Sequence, residues 1–153
     1  MARRLILDTN ALIAYERGQF DAASLDDDDL AIAAVTVAEF RTGIELADTP
    51  ARAADRARVL AVITDTVTVL DYTARTAAEH ARLIAHVRGT GAPRGAHDLI
   101  VAAHALEHGR TVVSLGAKAK FGDLPGVRAI NRLQRQVESP RCLPRHSWAQ
   151  GAS

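Results

Sequence analysis

Three acidic residues, far apart in the sequence, sit where strand-like segments hand over to helices, and this restricts the fold more than any other feature. They are Asp8 in RLILDTNALIAYERG, Glu39 in VTVAEFRTGIEL and Asp98 in GAHDLIVAAHAL. An apolar strand precedes the first, while the second and third lie at helix starts. In an open α/β sheet such positions converge on one rim, the carboxyl edge of the strands. Carboxylates gathered there repel one another and are costly unless a cation neutralises them. Hard divalent ions such as Mg²⁺ want oxygen ligands. The pattern therefore predicts a metal-dependent site for phosphate chemistry.

The remaining segments agree with that architecture. Residues 3–7 read as a short buried strand, followed by a helix over 10–17 that Thr9 and Asn10 can cap and Gly18 ends. Asp26 to Asp29 read as a solvated turn before a second strand, 30–35. Thr36 is a good N-cap, and Glu39 three residues on makes TVAE a capping box. That helix ends at Asp48-Thr49-Pro50, and a charged amphipathic helix follows over 51–63. VTVL, 67–70, is strand-like by its β-branched residues, and 73–88 has apolar residues at helical spacing. The glycine-rich loop 89–95 lacks the P-loop pattern. An apolar helix over 97–108 is ended by Gly109, TVVSL is the next strand, and VRAI, 127–130, fits an edge strand. Alternating strands and helices point to a mainly parallel sheet covered by helices on both faces, a three-layer α/β/α sandwich.

The 153 residues suit a single domain with a full core, here over 1–130, with 131–153 as a flexible tail. That tail carries Arg132, Arg135, Arg141 and Arg145 against Glu138, or 4 − 1 = +3, whereas the body has 15 basic and 17 acidic residues, or −2. The body is thus no broad basic surface, and a nucleic acid would be held locally, through metal and a few arginines. The one cysteine, Cys142, excludes an internal disulfide and a Cys-based zinc site, which makes a reducing cytoplasm the default. No apolar run approaches the ~20 residues of a membrane span.

Each acid also has a plainer reading. Asp8 and Asp98 can be N-caps, and Glu39 a capping-box residue; their joint occurrence at rim positions favours a site. Asp8 and Asp98 are the candidate metal ligands, and Glu39 completes the acidic cluster. Thr9, Asn10 and Ser114 are candidates to support the acids or touch substrate. Ser114 has no histidine at a telling position, which argues against a hydrolase triad. His80, His86, His104 and His108 fall on helices with no shared metal-ligand spacing and read as structural or surface groups; His97, beside Asp98, is a candidate substrate contact.

These segments together resemble the PIN-domain ribonucleases, specifically the VapC-type toxins of bacterial toxin–antitoxin pairs. LILDTNALIAYERG is similar to their opening strand and first acid, VTVAEFRTGIEL to the second, and HDLIVAAHALEHGRTVVSL to the third acid, buried helix and following strand. KFGDLPGVRAI is similar to their closing segment, so the likeness covers about residues 3–130. The resemblance implies Mg²⁺- or Mn²⁺-dependent endonucleolytic cleavage of RNA, often tRNA or rRNA, with Asp8, Glu39 and Asp98 as the matching acids. It also implies a homodimer and a cognate VapB-type antitoxin that tethers the pair to operator DNA. Many relatives carry a further Asp or Asn two residues after the Ser/Thr that ends the fourth strand; here Ser114 is followed by Leu115 and Gly116. That departure keeps open a weakly active or inactive module that binds RNA or antitoxin. A DNA-directed nuclease would share the same acids.

Overall fold

The computed structural model of the chain describes residues 2–19, 25–115 and 120–131. Among these residues, five strands form one parallel sheet in the order β3-β2-β1-β4-β5. They are β1 (Arg4–Leu7), β2 (Asp29–Ala33), β3 (Thr68–Leu70), β4 (Thr111–Ser114) and β5 (Ala129–Asn131). The helices are α1 (Thr9–Glu16), α2 (Ala34–Glu45), α3 (Pro50–Thr66), α4 (Ala74–Thr90) and α5 (Ala96–His108), with a 3-10 turn at Phe121–Asp123. The expected α/β/α sandwich is met, and every strand pair is parallel.

The period of two along a strand sorts β1 between two apolar layers. Ile6 points to a layer containing Leu83, Leu99, Val101, Ala102, Val112 and Phe121. Leu5 and Leu7 point to the other, with Ala11, Leu12, Ile32, Ile63 and Val113. Helices α4 and α5 thus cover one face, and α1 and α3 the other. Strands buried on both faces need apolar residues at successive positions, which is why RLIL and AIA read as continuous runs.

Local details depart from the sequence reading in four places. Of the three caps the sequence offered for α1, Thr9 and Asn10 give way to Asp8, whose Oδ1 accepts from the Ala11 N–H at 2.7 Å. Helix α2 begins at Ala34 with no side-chain cap, so Thr36 lies inside its first turn, and the capping box does not form. The chain turns straight from β2 into α2, and tertiary burial of Thr36 overrides its capping propensity. The acidic run is more than a solvated turn. Asp28 accepts a side-chain bond from Arg3 Nη2 at 2.6 Å, and Asp29 opens β2 facing Arg110. Lastly, His104 and His108 do share a spacing, one helical turn apart on α5, and draw together with Glu107. Gly116 and the tail 132–153 lie outside the described residues.

Candidate metal centre

Strand order places a switch point between β1 and β4: the chain moves one way from β1 to β2 and β3, and the other way to β4 and β5. Loops at the carboxyl ends of such strands part there and leave a crevice. Asp8 leaves the end of β1, Ser114 ends β4, and Asp98 lies in the first turn of α5, whose N-cap is Gly95. Glu39, in the second turn of α2, reaches the same place. Asp8, Thr9, Asn10, Glu39, Gly95, His97 and Asp98 line one pocket of about 350 Å³. A water's share of liquid volume is about 30 Å³, so the pocket has room for a hydrated ion and a phosphate.

The structure therefore brings Asp8, Glu39 and Asp98 together, with Thr9 and Asn10 beside them. Asp8 is only 3% exposed. Burial raises its pKa above the ordinary carboxylate value, the Ala11 N–H and the Ser114 hydroxyl oppose the rise, and Glu39 adds to it. Asp98 is raised too, first by burial, then by the charges of Asp8 and Glu39, with His97 and Arg94 offsetting part of the effect. Asp98 thus feels both other acids as like charges, and Asp8 feels Glu39, in a partly desolvated pocket. The donor set, oxygens only and mutually repelling, fits a hard divalent cation.

Two features of the site were not foreseen. His97 Nδ1 lies 2.8 Å from Glu39 Oε1, so this histidine meets an acid rather than standing free for substrate. The sequence brings Glu39 and the start of α5 to one rim, but does not show that His97 and Glu39 meet there. Gly95 is the other: a Cβ there would come within 3.1 Å of Asp98 Oδ2, so only glycine gives that carboxylate its full space. Ser114, expected as a supporting group, does hydrogen-bond Asp8. A second pocket shares Thr9 and Glu39 with the first and continues to Arg17 and Arg56.

A model of the PIN domain matches residues 5–124, a span that contains all three acids. The chain belongs to the PIN-domain family. Solved structures agree with it. This PIN domain is 30% identical to a member of the VapBC family of toxin–antitoxin systems, VapBC-5 from Mycobacterium tuberculosis (TM-score 0.68; 82% of this chain and 96% of that one). It is 25% identical to DNA-bound VapBC from Salmonella typhimurium (TM-score 0.74; 86% and 98%). VapBC2 from Rickettsia felis, at 19% identity and TM-score 0.71 over 83% and 97%, shares the fold. No curated protein matches the chain by sequence. The resemblance of the sequence to VapC-type PIN toxins is met by these likenesses. Among the described residues, no helix is long and apolar enough to cross a membrane.

Proposed function

We propose that this PIN domain is the toxin of a toxin–antitoxin pair, an Mg²⁺- or Mn²⁺-dependent endoribonuclease that cleaves tRNA or rRNA and so inhibits translation. The observation that carries this reading is the meeting of three acids from three separate segments in one pocket at the sheet's switch point. Asp8 and Asp98 hold the ion. A divalent ion held there would supply charge neutralisation for phosphate oxygens and activation of a water. The Ala11 N–H and Ser114 fix Asp8 in place. Glu39, steadied by His97, orients the attacking water or accepts its proton. Thr9 and Asn10 contact the substrate at the pocket wall, and Arg17 and Arg56 in the adjoining pocket meet neighbouring phosphates.

The Salmonella and Rickettsia neighbours are VapBC complexes with DNA. The likeness to the Salmonella complex and to VapBC-5 supports a VapB-type antitoxin as the partner, with operator DNA reached only through it; in our reading the toxin acts as a homodimer in the cytoplasm. Total cellular RNA is the first substrate to test, with purified protein, Mg²⁺ or Mn²⁺, an EDTA control, Asp8→Asn and a parallel DNA digest. Discrete RNA fragments that vanish in both controls are expected. The loss in Asp8→Asn should be about 10²- to 10³-fold, the usual effect of deleting one electrostatic catalytic group. Undiminished cleavage by folded Asp8→Asn would overturn the assignment, and cleavage of DNA alone would redirect it.

A further inference from the structure

We propose that His104, Glu107 and His108, at the end of α5 remote from Asp98, form a binding site for a borderline divalent transition ion such as zinc. One donor atom from each residue lies within 4.8 Å of the other two. Glu107 Oε2 is 3.8 Å from His104 Nδ1 and 3.4 Å from His108 Nε2. Tetrahedral ligands of zinc stand about 3.3 Å apart, from Zn–N and Zn–O bonds of about 2.0–2.2 Å. Modest side-chain movement would therefore close the site.

The second observation is an orphaned group. His104 has no solvent exposure, yet neither of its ring nitrogens has a hydrogen-bond partner. Tyr72 and His108 approach the ring through ring contacts, edge-on and stacked respectively. Buried imidazole nitrogens are seldom left so, and a ligand is one way to satisfy them. The carboxylate is also prearranged: Thr76 Oγ1 donates to Glu107 Oε2 at 2.6 Å, and Thr73 Oγ1 to Oε1 at 3.3 Å. Outer partners of this kind orient carboxylate ligands in metal sites. His108 is partly exposed and gives a route in from solvent.

Two imidazoles and one carboxylate suit zinc, nickel or copper rather than Mg²⁺. Three protein ligands leave a coordination position for water. The order His-x-x-Glu-His is one in which zinc peptidases use the glutamate as a base. Here Thr76 of α4 and Thr73 at its N-cap donate their hydroxyls to Glu107, which holds the carboxylate where it can serve as the third ligand. Asp98 and Glu107 are nine positions apart on α5, or about 13.5 Å along the axis. The two sites are therefore separate.

The test uses the untagged full chain carrying Cys142→Ser and His146→Ala, so that tail donors do not contribute, in saturating Mg²⁺. Zinc binding is measured by calorimetry, and a tetrahedral cobalt spectrum is recorded in parallel. One zinc per chain is expected, with the same affinity when Asp8→Asn is added. His108→Ala and Glu107→Gln should abolish the cobalt spectrum. Thr76→Val, which keeps all three ligands, should weaken zinc by roughly tenfold or more. Failure of the parent to bind zinc, or binding that persists in both His108→Ala and Glu107→Gln, would overturn the proposal. RNA cleavage is not the readout, so the outcome is independent of the assignment at Asp8.

Discussion

At the scale of single residues, Asp8 combines two roles that sequence reading treats as rivals. Its carboxylate caps α1 and also lines the acidic pocket. The cap holds one oxygen on the Ala11 N–H, and the charge is still costly because burial and Glu39 oppose it. A carboxyl group whose pKa is raised in the fold binds protons there at a pH where the unfolded chain has released them. Stability from this group is therefore greatest at low pH and falls as pH rises from the ordinary carboxylate range through the raised value. Asparagine keeps the capping oxygen and carries no charge. Asp8→Asn, followed by urea unfolding in EDTA, should gain stability relative to the parent as pH rises into the neutral range. A relative loss over that window would refute the electrostatic account. The acids were legible in the sequence because each stands beside an apolar run. His97 was half legible: its position beside Asp98 was plain, but its acid partner comes from another helix.

At the scale of elements, strands and helices were readable because their periods are strong, and errors gathered at ends. TVAE matches a capping box, yet α2 starts two residues before its Thr36. Capping rules describe free helix ends, whereas this end is set by β2 running directly into α2. For the same reason Glu39 is released from a capping role and reaches the pocket. Arg110 shows the opposite edge of the sheet at work. It is buried where β4 begins, and its Nη1 donates to the carbonyls of Leu5 at 3.2 Å and Asp29 at 3.0 Å. One side chain thus ties β4 to β1 and β2 through a further hydrogen bond to a carbonyl of each. Arg110→Met should cost about 2 kcal/mol in urea unfolding, the worth of hydrogen bonds from a charged donor. Cleavage should be unaffected, since the acids lie at the other rim. An unfolding free energy equal to the parent's would show the carbonyl contacts to be incidental.

At the scale of the whole molecule, the core does not depend on the acidic pocket. Two apolar layers enclose the sheet on both faces, and the acids sit beyond the strand ends. Removing metal with EDTA should abolish cleavage and leave the circular dichroism spectrum unchanged. Mg²⁺ should raise the unfolding free energy, by about 2.7 kcal/mol at a hundred times its Kd. That gain should disappear in Asp8→Asn; a gain that remains would place the ion elsewhere. The sheet topology has a further consequence. Among the described residues, both outer strands, β3 and β5, are three residues long. Such stubs offer too few free amides and carbonyls to template another strand, which is a common defence against edge-to-edge aggregation. Strand addition at these edges is thereby disfavoured among the described residues, and helical faces, where side-chain shape rather than backbone pairing selects the partner, are the better place to receive a second chain.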